Sequence, residues 1–251
     1  MLRITSVILS LAEHLLLAFS RAPQQGDYTV PPVDNPLGLL ESEYPDFREM
    51  VAGKRVLDFG CGFGHQATAI ATNYGAQVTG LDTNPKAIEV ARQQGGNLVR
   101  FTTQLTRDEQ FDLVISQNSM EHYPEPAEVL QEMIRVLKPG GRILMTFGPP
   151  WYAPYGSHMY FFCRLPWLNI LFPERIVMTV RKRYRNDGAT HYEEVESGLN
   201  KMSLRKFERL VQQSGLNFAR LNYRSVKGLD FLVRLPIVRE LFCNRVTVVL
   251  D

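Results

Sequence analysis

The chain has 251 residues, 45% of them hydrophobic and 22% charged, with a formal net charge of +2. That length suits one α/β domain with a large buried core, and the near-neutral balance gives no footprint for nucleic acid, which is not expected as a partner. Three cysteines, Cys61, Cys163 and Cys243, are too few and too scattered for a disulfide framework or a zinc site, so a reducing, cytoplasmic setting without a bound metal is expected.

Arg3 precedes an apolar run from Ile4 to Phe19, broken by Glu13 and His14. Ile4, Val7, Ile8, Leu11, Leu15 and Ala18 fall at helical spacing and predict an amphipathic helix that packs on the domain or rests on a membrane surface. A secretory signal and a membrane anchor are the alternatives; the run lacks a small-x-small cleavage site and is short and polar for a span. Gln24 to Pro36 is rich in Pro, Gly, Asp and Asn and reads as a linker. Residues 1–36 are therefore expected to be a helix and linker, and 37–251 the main domain. Glu41 to Val51 reads as one short helix.

Strands and helices then alternate. Strands are expected at Arg55–Phe59, Gln77–Asp82, Asn97–Thr102, Phe111–Ser116 and Arg142–Phe147. Helices are expected at Gln66–Tyr74, from Asn84-Pro85 to Gln93, and at Pro126–Leu137, the last closed by Lys138-Pro139-Gly140-Gly141. A helix from Ser203 to Ser214 and strands at Asn217–Ser225 and Arg245–Leu250 follow. This order argues for a doubly wound α/β fold, a mostly parallel seven-stranded sheet with helices on both faces. Two stretches interrupt it, at about 149–200 and 227–244. The first is aromatic and partly basic, and too long for an ordinary connection.

The run Val56-Leu57-Asp58-Phe59-Gly60-Cys61-Gly62-Phe63-Gly64 is a strand entering a tight glycine turn before a helix. Glycines allow the sharp turn and leave room for a ligand against the main chain, at the carboxyl edge where open α/β sheets bind. The spacing departs from the dinucleotide fingerprint: His65 stands where the third glycine belongs, and Gly64 comes one residue early. Asp58, two residues before the first glycine, would repel a diphosphate and suits a cationic ligand with a free amino group.

These residues, with the strand ending at Asp82, the run Phe111 to His122 and the run Arg135 to Arg142, resemble the class I S-adenosylmethionine-dependent methyltransferases, closely the small-molecule, type 11-like subgroup. The resemblance runs from about Arg55 to Phe147 and returns weakly from Ser203 to Gly215. It implies S-adenosyl-L-methionine as cofactor. By carry-over, Asp58 takes the cofactor's amino end, and Gly60, Cys61, Gly62 and Gly64 give backbone contacts. Asp82 takes the ribose hydroxyls, as a carboxylate accepting two hydrogen bonds suits, with Thr83 flanking it; a helix-capping aspartate is the plainer reading. The family's acidic residue after the third strand is missing, so Gln104 is the candidate for the adenine amino group and Leu105 for packing on the base. Gln117 and Asn118 would line the methyl-transfer site. His122 is the first candidate general base, and a structural histidine bonding a loop is its alternative.

Trp151, Tyr155 and His158 follow the fifth strand, where an acceptor pocket is expected. Tyr155 and His158 are candidates to bind or deprotonate a hydroxyl, and Trp151 to stack on a ring or sugar. A packed lid without direct contact is the alternative. The apolar run Phe161 to Phe172, followed by Arg181-Lys182-Arg183-Tyr184-Arg185, suggests a membrane-surface site or an anionic acceptor, against plain lid packing. The expected function is methyl transfer from S-adenosylmethionine to a small-molecule acceptor, such as a hydroxyl of a sugar, lipid-linked or amphiphilic compound, with peripheral membrane contact in view. A dinucleotide-dependent oxidoreductase and a non-catalytic S-adenosylmethionine-binding protein are the alternatives.

Overall fold

The computed structural model describes residues 2–21, 34–195 and 197–251, and in the first helix the side chains from residue 9 onward. The expected linker lies outside the described residues from Gln24 to residue 33.

Seven strands form one sheet: β1 (Arg55–Phe59), β2 (Gln77–Leu81), β3 (Val99–Thr102), β4 (Phe111–Gln117), β5 (Leu137–Phe147), β6 (Phe218–Ser225) and β7 (Cys243–Leu250). Their spatial order is β3-β2-β1-β4-β5-β7-β6. The first five are parallel, and β7 runs antiparallel to both β5 and β6. Leu57, Val114 and Ile143 are fully buried, as central parallel strands covered by helices on both faces require. Strand order reverses between β1 and β4. The crevice outside their carboxyl ends is thus the ligand position of an open α/β sheet.

The covering helices are α4 (His65–Tyr74), α5 (Pro85–Gly95), α6 (Pro126–Arg135) and α9 (Leu204–Ser214). Local chemistry sets their ends. The Asn84 side chain accepts from the Lys86 N–H at 3.0 Å and Pro85 occupies the first turn. Ser203 caps α9 through the Lys206 N–H at 3.2 Å, and Gly215, at φ 82°, ends it.

Three expectations are corrected. The helix expected over Glu41–Val51 is two, α2 (Gly38–Glu43) and α3 (Phe47–Val51). Pro45 lacks an N–H and pushes Tyr44 out of helical geometry, and the Tyr44 hydroxyl then meets the carbonyl oxygens of Met145 and Val248, each at 3.0 Å. The Lys138–Gly141 turn is a kink inside β5, with a register shift against β4 between Phe111 and Leu113. The third concerns α1 (Leu2–Ala18). Its inward face is Leu16, fully buried, with Leu9, Ala12 and Leu17, while Leu11, Leu15 and Ala18 of the expected stripe face outward.

Residues 148–202 fold around a core of their own. This region holds α7 (Leu168–Leu171) and α8 (Glu174–Arg181). Phe162, Val177, Tyr192 and Leu199 are buried together with Leu16 of α1. Ser20 bridges to Cys163, so α1 is fastened to this insertion. The second excursion carries α10 (Asp230–Val233) and α11 (Arg239–Phe242) and touches the first where the Trp167 indole N–H donates to the Leu241 carbonyl at 3.2 Å.

Candidate functional site

The bend after β1 is held from below. The Gly60 and Cys61 N–H groups both donate to the Leu81 carbonyl, at 2.8 and 2.9 Å. The Gly64 N–H donates to Cys61 at 3.0 Å, and the Gly62 N–H to Asp82 Oδ2 at 2.9 Å. All four amides expected to face a ligand are thus used inside the protein. The glycines serve different ends. A Cβ on Gly64 would lie 2.6 Å from the Phe101 ring, and one on Gly60 would lie 2.9 Å from Ser119 Oγ. Gly62 would meet nothing within 4 Å, so an open cradle stands at the tip of the bend.

Asp58 faces this bend from the end of β1 and is 2% exposed. Its Oδ1 accepts from Gln66 Nε2 at 2.8 Å, whereas Oδ2 is buried without a partner. Burial, reinforced by the nearby Asp82 charge, pushes its carboxyl up to about 7. A buried acceptor left open is costly unless something arrives to meet it. An ammonium group supplies both a hydrogen bond and the missing countercharge. The cradle, the open oxygen and the negative charge fit the amino-acid end of S-adenosylmethionine.

Asp82 ends β2. Its Oδ1 accepts from the Asn84 N–H at 2.8 Å and Oδ2 from Gly62, which fixes the carboxylate between the two turns. Asn84, not Asp82, caps α5. Each oxygen keeps a second lone pair, as vicinal hydroxyls need. Thr83 is exposed beside it. The Gln104 side chain is exposed too, and its backbone trades bonds with the Thr102 hydroxyl. Leu105 packs against the core cluster that holds Leu81.

After β4 the chain is pinned against β1. The Tyr123 hydroxyl donates to the Phe59 carbonyl at 3.2 Å and meets Ser116 Oγ at 3.0 Å. Asn118 is exposed with φ 50°, and the Gln117 Nε2 is buried without a partner. Glu121 is 2% exposed; its Oε1 accepts from the Gly148 N–H at 3.0 Å, and burial raises its carboxyl against the pull of His122. His122 Nδ1 lies 2.8 Å from the Gly198 carbonyl. A carbonyl only accepts, so in the neutral ring Nδ1 carries the hydrogen and Nε2 is left as the acceptor. His158 meets the His122 ring edge-on at 5.3 Å, with Nε2 3.2 Å from the Pro149 carbonyl. Burial, with His122 beside it, lowers His158 to about 4 and keeps it neutral.

A cavity of about 440 Å³ opens between this turn and the insertion. Asn84, His122, Ser157, His158, Phe161 and Arg181 are among its described lining, with Met159, Val195 and Leu199 giving apolar wall. Trp151 and Tyr155 lie elsewhere. Trp151 packs edge-on against Tyr192 at 4.8 Å, and its carbonyl accepts from Asn169 Nδ2 at 2.7 Å. Tyr155 packs against Tyr160 at 5.1 Å. The structure also brings in residues that sequence patterns did not mark. Asn200 Nδ2 donates to the Met120 and Tyr123 carbonyls at 2.8 and 2.7 Å, and so fixes the histidine turn from nearly eighty positions away.

Comparison with known proteins agrees with this geometry. Residues 57–145 match the family described as "Methyltransferase domain". A ubiquinone biosynthesis O-methyltransferase of Thiobacillus denitrificans is 38% identical over 121 residues, covering 45% of this chain and 50% of that protein. The chain thus spans about half the length of the curated relatives it matches. A solved S-adenosylmethionine-dependent methyltransferase of Mesorhizobium loti superposes with a TM-score of 0.55 at 18% identity, covering 86% and 99% of the two chains. PKMT2 of Rickettsia typhi, solved with AdoHcy, gives 0.56 at 13% identity, covering 88% and 54%. Residues 57–145, which run from β1 into β5 and carry the glycine bend, are thus similar to a methyltransferase domain, on a fold shared with solved S-adenosylmethionine-dependent methyltransferases.

Proposed function

We propose that the chain moves the methyl group of S-adenosylmethionine onto a hydroxyl oxygen of a small amphiphilic acceptor. The observation that carries this is the open Asp58 Oδ2, buried at the end of β1 that leads into the glycine bend, whose Gly62 amide the Asp82 carboxylate holds. Asp58 binds the ammonium, Asp82 orients the ribose, and the His122 turn, pinned by Tyr123 and Asn200, forms the wall on the methyl side. The bound cofactor supplies an activated methyl on sulfur, so the chain's task is alignment and removal of one proton. With Asp58 and Asp82 holding the cofactor, an acceptor hydroxyl placed against the His122 turn would receive that methyl on its oxygen, and the sulfur would keep the electron pair of its former bond. The hydroxyl proton goes to His122 Nε2, the acceptor nitrogen on the cavity wall. His158, lowered to about 4, takes a proton poorly and acts as a neutral neighbour that shapes the pocket.

An O-methyltransferase reading is supported by the names of the partial relatives. The amphiphilic acceptor is supported by the cavity wall, where Met159, Phe161, Val195 and Leu199 alternate with His122, Ser157 and His158. Incubation with methyl-labelled cofactor and a panel of hydroxylated amphiphiles tests both points. Labelled ether product is expected, with His122→Asn lowering kcat by roughly 10²–10⁴-fold and leaving cofactor affinity unchanged. Label on nitrogen, or full turnover in His122→Asn, would refute this assignment.

A further inference from the structure

α1 is apolar on two sides and covered on one. Its inner face is buried on the insertion, yet Leu11 is 64%, Leu15 54% and Phe19 54% exposed, at successive turns of the outer face. Three exposed apolar side chains in a row, unpartnered by the described chain, mark a contact surface. The surface continues beyond the helix. Tyr160 is exposed beneath two guanidinium groups, those of Arg21 and Arg164, at 5.5 and 5.2 Å from its ring. The C-terminal ends of α1 and α8 meet here: the Tyr184 hydroxyl donates to the Arg21 carbonyl, and Lys182 and Arg183 are exposed next to it. Nearby acids are engaged, Glu13 with Arg183 at 3.2 Å and Asp187 with Arg181. Phe161, the next residue after Tyr160, is exposed and also lines the cavity.

We propose that this face lies on an anionic lipid bilayer, with α1 flat in the interface and the cavity mouth at Phe161 beside it. Charge decides the occupant. A second copy would set Arg21, Arg164 and Lys182 against the same cations, whereas an anionic surface neutralises them. Leu11, Leu15 and Phe19 enter the acyl boundary, and Tyr160 sits at headgroup level with its cations. No helix among the described residues is long and apolar enough to cross a membrane, so contact is along the surface.

The test is flotation of the full chain with phosphatidylcholine vesicles, with and without phosphatidylglycerol, in the absence of cofactor and acceptor. It is therefore independent of methyl transfer. The chain floats only with phosphatidylglycerol and is released by salt. Arg21→Gln and Arg164→Gln each weaken partition about fivefold. The triple change Leu11→Glu, Leu15→Glu, Phe19→Glu abolishes flotation while circular dichroism and S-adenosylhomocysteine binding stay as in the wild type, because the changed side chains are exposed. Failure of the folded chain to float, flotation of the triple variant, or a dimer that the triple change dissolves would overturn the proposal.

Discussion

The half of the molecule from β1 to β5 and the half made of α1 and the two insertions handle apolar side chains in opposite ways. In the first, strands and helices cover nearly all of one another's large apolar side chains. In the second, each element buries one face and leaves another open. All but Phe63 and Leu98 of the fifteen large hydrophobic residues exposed among the described ones lie in α1, at Phe19 just after it, or in the insertions, with Ile237 the extreme at 89%. The contrast separates two tasks. On the proposed reading, cofactor recognition falls to a closely packed frame, at Asp58 and the glycine bend. Acceptor choice and surface contact fall, on the same reading, to the appended segments, whose apolar side chains are exposed.

Substitutions that act on one half and spare the other sharpen this division. Leu16→Ala empties the seam between α1 and the insertion and should cost about 2–5 kcal/mol of that docking. Hydrogen exchange would show faster exchange in α1 and α8, with S-adenosylhomocysteine affinity unchanged; a loss of affinity would join what the comparison separates. Gly64→Ala acts on the frame. Its φ of 79° and a Cβ 2.6 Å from the Phe101 ring predict a loss of about 2–4 kcal/mol in urea unfolding, together with weaker cofactor binding.

The pH response follows from Asp58. Its folded carboxyl, near 7, stands above the ordinary value of 3.8. The folded chain therefore holds more protons than the unfolded one between these values, and the stability of the ligand-free protein falls as pH rises from about 4 to 7. Binding of an ammonium group requires the ionised form. Affinity should rise by up to about tenfold per pH unit between about 5 and 7, then level off, with proton release visible by calorimetry in different buffers. A flat profile would remove Asp58 from the contact. The smallest stability effect is expected for Gly62→Ala, about 1 kcal/mol for its left-handed φ of 52°. Because that Cβ enters the open cradle, the Kd for S-adenosylhomocysteine should still rise several-fold.

The frame was readable because its signals are local. Val56–Gly64 and Asp82 carry their geometry in neighbouring residues, and the expected strands match those found to within two residues except β5, which starts at Leu137 rather than Arg142. A short-range rule overrides the helical pattern at Pro45, which splits the helix expected over Glu41–Val51. The outward turn of Leu11 and Leu15 had no local signal, because α1 is apolar on both sides and only its packing on Phe162 and Val177 chooses a face. The same holds for Trp151. Its aromatic ring suggested a ligand platform, but Tyr192, forty residues on, claims it. Asn200 and Gly198 reach His122 through tertiary folding alone.

Isothermal titration of S-adenosylhomocysteine into the wild-type chain and Asp58→Ala, above pH 7, examines the open carboxylate itself. The wild type should bind, and the variant, folded by circular dichroism, should lose about 2–5 kcal/mol of affinity. Equal affinity in both proteins, or no binding to the folded wild type, would contradict the account.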